Sequence, residues 1–401
     1  MAITPITDIN VAGKRLVVRA DLNVPLADGK VADATRITRF AQGMKPLLAQ
    51  GARLVILSHL GRPKGELNPA FCLHQIESTL ADALGCPVTF GETCAGPVAE
   101  NAAAALKDGE VLLCENVRFE RGEEMNDPGL ARKFAALGDI YVNDAFSCAH
   151  RAHASTAAIA ELLPATAGPL MIEEMEALTA ALEASNRPSV AIVGGAKVSS
   201  KIAVLKHLVQ KLDAVIVGGG MANTFLFAKG APMGKSLHEA DQVETVKEIL
   251  LLAKAAKCEI FLPEDVVVAK EFREGARKKI VVWNECPEDA MILDAGSAAL
   301  RNFQGVLAGA QTILWNGPLG AFEIPPFDHS TMALAETAAE LTRAGLCVSV
   351  AGGGDTVAAL NTAGVADDFT YVSTAGGAFL EWLEGRVLPG IAALDRADQA
   401  A

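Results

Sequence analysis

The chain has 401 residues, 51% of them hydrophobic, which is enough for two buried cores and too long for one ordinary domain. A net charge of −13 argues against nucleic-acid or anionic-membrane partners, and with only 5% aromatic residues there are few platforms on which bases could stack. No apolar run reaches membrane-spanning length, the opening MAITPITDIN lacks a secretion-signal pattern, and the eight cysteines contain no Cys-x-x-Cys pair, so a cytoplasmic protein with reduced core thiols is expected.

Across residues 1–168, short Val/Ile/Leu-rich runs alternate with longer helix-like stretches, the pattern of a parallel sheet covered by helices. Four runs end in polar cassettes: Arg15–Arg19 in ADLNVP, Arg53–Ser58 in HLGRP, Val111–Cys114 in ENVRF, and Ile140–Val142 in NDAFSCAHRAHAS. Ligands of open α/β sheets bind beyond the carboxyl ends of the strands. Arg62, Arg118 and Arg151 are therefore expected to converge with Arg36, His59, Asp21 and Asn23 on one crevice. Arginine's planar fork suits phosphate and carboxylate. The expected guest is a small polyanion, with Asp21 and Asn23 placed to read its hydroxyl groups.

Residues 161–189 read as a seam. Pro164 and Pro169 bracket a loop, ATAG, and an amphipathic helix over Leu170–Ser185 follows, with Met171, Met175, Leu178 and Leu182 on one face. Asn186-Arg187-Pro188 ends it, and a hinge element and a plain linker helix are equally compatible with the pattern.

From Ser189 a second α/β series begins. Val190–Val193 leads into GGAKVSSK, Asp213–Val217 into GGGMANTF, Cys258–Leu262 into PEDVVV, Thr312–Trp315 into NGPLGAFE, Leu346–Val350 into AGGGDT, and Phe369–Val372 into STAGGAFLEWL. Glycine dominates these strand ends, with Lys197, Lys201, Asn316 and Glu323 as the polar groups. At Gly352-Gly353-Gly354 a strand gives way to a helix, whose first amides lack internal partners and favour an anion. A polyphosphate fits there. Asp355 would repel it unless a cation lay between them, which implies Mg2+. No Gly-x-Gly-x-x-Gly fingerprint follows the first strand, and there is no P-loop, Gly-x-Ser-x-Gly elbow or His-x-x-x-His pair.

Two anion sites of different character imply phosphoryl transfer, with closure of two lobes expelling water. The segments VRADLNVP, SHLGRP, ENVRF, GGAKVSSK, WNGPLGAFE, GGGDT and STAGGA, running from Arg19 to Ala378, resemble the signature segments of phosphoglycerate kinase in that family's order. The expected fold is α/β: two lobes, each a parallel sheet flanked by helices in a Rossmann-like three-layer arrangement, joined by an interdomain helix. The division expected is a phosphoglycerate-binding domain over 1–168, a hinge helix over 169–186, a nucleotide-binding domain over 187–387, and a segment, 388–401, packing back on the first domain.

The resemblance implies reversible, Mg2+-dependent transfer from 1,3-bisphosphoglycerate to ADP by a monomer. Its partners are small molecules, with no nucleic acid and no membrane. It implies that Asp21, Asn23, Arg36, His59, Leu60, Gly61, Arg62, Arg118 and Arg151 hold phosphoglycerate. Lys201, Gly218, Gly219, Asn316, Glu323, Gly353, Gly354, Asp355 and Thr356 would hold the nucleotide, Asp355 contacting the metal. Arg36, Lys197, Gly354 and Gly377 would act on the transferring group. Ala375 stands where the family usually has glycine, and an ordinary negative φ is expected there. The rival readings are a two-lobed NAD-dependent dehydrogenase, which needs the missing dinucleotide fingerprint, and a two-lobed solute-binding protein, which needs a secretion signal.

Overall fold

The structure, a computed structural model, describes residues 3–183 and 186–400, with side chains through residue 395. It divides into two units, Met1–Met175 with Val387–Ala401, and Glu176–Arg386.

The first unit contains β1 (Arg15–Ala20), a small hairpin of β2 (Leu26–Ala27) and β3 (Lys30–Val31), β4 (Arg53–Leu57), β5 (Val88–Gly91), β6 (Val111–Cys114), β7 (Ile140–Asp144) and β8 (Ala165–Ala167). Six of these form a parallel sheet in the order β5-β6-β4-β1-β7-β8. Its strands are almost wholly apolar because helices cover both faces. Register then places the cassettes. Arg19 is paired with Leu57 and with Asn143, so the chain leaves β1, β4 and β7 at one edge and at nearly one level. The helix Thr35–Ala49 buries Ile37, Phe40, Ala41, Met44 and Leu47 at helical spacing, which leaves Arg36 in its first turn and half-exposed.

Three of the four residues of the predicted loop ATAG, Ala165–Ala167, instead form β8. Its small residues carry no strand signal of their own, and the ladder with Tyr141–Asn143 supplies the structure. The seam helix spans Pro169–Glu183, so its predicted end at Ser185 falls outside the described residues. Met171, Leu178 and Leu182 are buried and Met175 is half-buried, and the division between units falls within this helix. The C-terminal helix Pro389–Ala400 docks in the first unit: Leu388, Ile391 and Leu394 are buried, and the Gly390 amide donates to the Ala149 carbonyl at 2.8 Å.

The second unit contains β9 (Ser189–Val193), β10 (Ala214–Val217), β11 (Glu259–Phe261), β12 (Asp265–Ala269), β13 (Lys278–Val282), β14 (Met291–Ala295), β15 (Thr312–Asn316), β16 (Val348–Gly352) and β17 (Tyr371–Ser373). A parallel sheet runs β11-β10-β9-β15-β16-β17. A separate antiparallel sheet, β13-β12-β14, was not expected from the sequence. Its outer strand β13 is largely exposed, so KKIVV shows no clean alternation. The β16 run extends two residues beyond its predicted end and takes in Gly352. Among the described residues no helix is long and apolar enough to cross a membrane.

Candidate functional site

In the first unit a continuous set of bonds links the ends of β1, β4 and β6. Arg36 donates through Nη1 to Asp21 Oδ2 at 2.8 Å and to the Asn23 carbonyl at 3.0 Å. Ser147, just past β7, donates to the same Asp21 oxygen. Asn23 Oδ1 accepts from the Gly61 amide at 2.9 Å, and the Gly61 carbonyl accepts from Arg118 Nη1 at 2.7 Å. Gly61 has a φ of +61°, and a Cβ there would lie 2.3 Å from the Phe71 ring, so no other residue fits. Asn116 ties the loop down, donating to the carbonyls of Leu60 at 2.8 Å and Phe71 at 2.9 Å.

Beneath this layer Arg19 is fully buried. It donates to Ser155 Oγ at 2.8 Å and approaches His59 Nδ1 at 3.1 Å. Burial, reinforced by Arg19, Arg118 and Arg36, holds the His59 pKa well below its ordinary value. Arg118 is buried too; its Nε makes no hydrogen bond and only approaches Glu124 Oε1 at 3.5 Å. A buried guanidinium with an unsatisfied donor is a place for an anion. Arg151 is half-buried and donates to His150 Nε2 at 3.0 Å. Arg62 is exposed, makes no ion pair among the described residues, and is not drawn into the network. Asp21 and Asn23, expected to read hydroxyl groups, have oxygens engaged in positioning Arg36 and the Gly61 loop.

In the second unit the strand ends knit around glycines. Lys201 donates through Nζ to the carbonyls of Gly194 at 2.7 Å and Asn316 at 3.0 Å. Burial pulls its pKa down to about 8, with Asp355 opposing. Asn316 Nδ2 donates to the Gly352 carbonyl at 2.8 Å, while its buried Oδ1 has no hydrogen-bond partner. Thr356 Oγ1 accepts from the Gly317 amide at 2.7 Å. Gly353 has a φ of +97°, and a Cβ there would come within 2.6 Å of Asn316 Nδ2. Gly354 opens the helix Gly354–Ala363, and a Cβ there would meet nothing within 4 Å.

Beside this loop lies a cavity of about 420 Å³. Gly195, Gly219, Gly220, Glu323 and Asp355 line one part of it, and Leu237, Ile292, Leu319 and Phe322 give the remainder an apolar wall. Gly218 caps the helix Gly219–Ala228, its amide donating to the Val193 carbonyl at 3.0 Å. Lys197 is exposed and makes no ion pair among the described residues. Gly377 opens the short helix Gly377–Leu383. The positive φ in STAGGA falls on Gly376, at +55°, and not on Ala375, as expected.

Arg19, Asn116, Ser147 and Ser155 were not among the residues expected at the site. Arg19 carried a usable signal, a cation interrupting the apolar run of a buried strand. The three polar residues carried none, since Asn and Ser are ordinary in turns.

Comparison with known proteins bears on this geometry. The family model described as phosphoglycerate kinase matches residues 6–386. The phosphoglycerate kinase of one Methylorubrum extorquens strain is 58% identical over 382 residues, 95% of this chain and 96% of its own. That of Agrobacterium fabrum is 57% identical over 397 residues, 99% of each chain. The solved structure of phosphoglycerate kinase from Coxiella burnetii superposes with a TM-score of 0.92 at 42% identity, covering 98% of this chain and 99% of that one. The enzyme from Pyrococcus horikoshii OT3 gives 0.82 at 29% identity over the whole of both chains. The dehydrogenase reading finds no support in these matches. A family model spanning almost the entire chain and relatives above half identity place it without ambiguity: the chain belongs to the phosphoglycerate kinase family.

Proposed function

We propose that the arginine cluster of the first unit binds phosphoglycerate and that the glycine-lined cavity of the second binds the nucleotide. The activity is that of the family: a phosphotransferase with a carboxyl acceptor, moving a phosphoryl group reversibly between 1,3-bisphosphoglycerate and ADP. The observation that carries the assignment is the linked set Arg36–Asp21–Asn23–Gly61–Arg118, which aims two guanidinium groups from different chain segments at one strand edge.

Arg118, with its unsatisfied Nε, takes a phosphate or carboxylate oxygen of the acid. Arg151 and Arg62 extend the positive wall, and the Leu60–Gly61 backbone shapes its floor. His59 is neutral, and because arginine has no acceptor its Nδ1 must accept, which leaves Nε2–H to donate. Arg36 faces the acyl phosphate. In the second unit Lys201, Asn316, Gly353, Gly354 and Thr356 cradle the phosphates, while Gly218, Gly219 and Glu323 border the nucleoside. Lys197, unencumbered and exposed, reaches the terminal phosphate, and Gly377 supplies an amide. Asp355, exposed in the first turn beside the cavity, is a hard carboxylate that fits Mg2+, which when bound would neutralise phosphate charge. An ADP oxygen is already anionic at neutral pH, so the protein needs no base. Its task is orientation and charge neutralisation.

We further propose a monomeric, cytoplasmic enzyme acting on small molecules only. The test is ATP formation from ADP and 1,3-bisphosphoglycerate, run beside calorimetric binding of 3-phosphoglycerate to wild type and to Arg118→Ala. Activity with weakened acid binding in the variant is expected. Unaltered binding in the variant would overturn the assignment of the first cluster.

A further inference from the structure

A second concavity, about 530 Å³, lies against β12 and β13 and shares no lining residue with the cavity beside Asp355. Five cationic side chains line it, Lys270, Arg273, Arg277, Lys278 and Lys279, against the single carboxylate of Glu271. In a chain of net charge −13 this concentration runs against the overall balance. We propose that it is a binding site for a polyphosphate anion, separate from the substrate sites and not used in the reaction.

The loop 270–277 and the start of β13, which carry the cations, are held in place. The Gly275 amide donates to the Pro325 carbonyl at 3.0 Å. Ala276 is buried in a small core with Val267, Ala269 and Phe327, and Lys278 Nζ donates to the Pro326 carbonyl at 3.2 Å. Two of the acids nearby are already engaged, Glu271 with Arg273 and Asp289 with Lys270, and neither Glu274 nor Glu288 lines the concavity. Arg277 and Lys279 make no ion pair or side-chain hydrogen bond among the described residues. Both are exposed, so neither is costly to leave open to water. Gathering like charges on a fixed loop nonetheless costs repulsion that a multivalent anion relieves. Adjacent cations of this kind suit a chain of phosphates, whose charges repeat at similar spacing, better than a single carboxylate. Pro287 and Ala290 complete the lining, and the carboxylate of Asp289 between them is the one already paired with Lys270.

The experiment is a titration of the full chain with inorganic tripolyphosphate in Mg2+-free buffer, followed through the backbone amide resonances of residues 275–279. A parallel arm with ATP tells a free phosphate chain from a nucleotide tail; in both arms the shifts must saturate at these same amides. Saturable shifts are expected in wild type and in Arg118→Ala. The double variant Arg277→Ala/Lys279→Ala should bind at least about tenfold more weakly, allowing for the modest worth of exposed charges. Its kcat and KM should match wild type, which also reports that it folds. Shifts that rise linearly without saturating, or that persist undiminished in the double variant, would overturn the proposal.

Discussion

Arg19 Nη2 and His59 Nδ1 stand 3.1 Å apart in the buried layer of the first unit. The contact makes the imidazole an acceptor on that side and, with burial, keeps it neutral. The His59 ring should therefore stay neutral well below the pH at which an ordinary histidine titrates, read from its nitrogen-coupled proton resonances. The sign for stability follows. The unfolded chain takes up a proton near pH 6.5 that the folded chain refuses, so stability falls as the pH drops through that value. A midpoint close to 6.5 in the folded protein would contradict the buried contact.

Arginines with different surroundings should fail differently. Arg36→Ala and Lys197→Ala should lower kcat steeply, toward the roughly 10³-fold associated with cations that face a transferring phosphoryl group. Arg118→Ala removes a ground-state contact of about 1.5–3 kcal/mol and should mainly raise KM for 3-phosphoglycerate, about ten- to a hundredfold. Steady-state kinetics on the three variants decide the matter, and equal losses of kcat would refute the division.

Adjacent glycines should separate fold from ligand. Gly353→Ala forces a side chain into positive φ and against Asn316, so a stability loss of about 1–3 kcal/mol is expected in chemical denaturation. Gly354→Ala meets nothing in the protein and should fold as wild type. On the proposed assignment of this helix start to the nucleotide phosphates, the added methyl group obstructs their approach and KM for the nucleotide should rise about tenfold. Normal nucleotide affinity in Gly354→Ala would remove this loop from the nucleotide site.

Lys201, with its pKa near 8, is partly neutral at pH 8.5 before any ligand arrives. A polyphosphate beside it favours the charged form, so ADP binding should take up a fraction of a proton at pH 8.5 and almost none at pH 6.5. Calorimetry in two buffers of unlike ionisation heat measures this directly, and Lys201→Met should abolish it. Without ligand, the depressed pKa means that stability grows as the pH rises from about 8 toward 10.5. Absence of proton uptake in wild type would place the phosphates elsewhere.

The parallel sheets were readable because their strands are continuous apolar runs ending in punctuation, and so was Arg118, just past one such end; Arg36, expected in the loop segment after the first cassette, lies instead in the first turn of a helix. β8 was not readable, since three small residues become a strand only by pairing with β7. The antiparallel sheet stayed hidden behind the exposed face of β13. At the site, residue types that do chemistry announced themselves, whereas those that aim them did not. Asn116 and Ser147 matter through partners 45 to 126 residues away, which periodicity cannot report. Arg62 shows the converse, a residue singled out by its motif that the folded chain leaves unengaged.

Leu388, Ile391 and Leu394 are core residues of the first unit, so the helix that completes this unit emerges from the ribosome only after residues 176–386 of the other unit. By then every residue of the inserted unit has already emerged. The unit whose strands are translated earlier thus receives its last core residues after the other unit has emerged in full, which runs against the usual amino-terminal-first completion of domains.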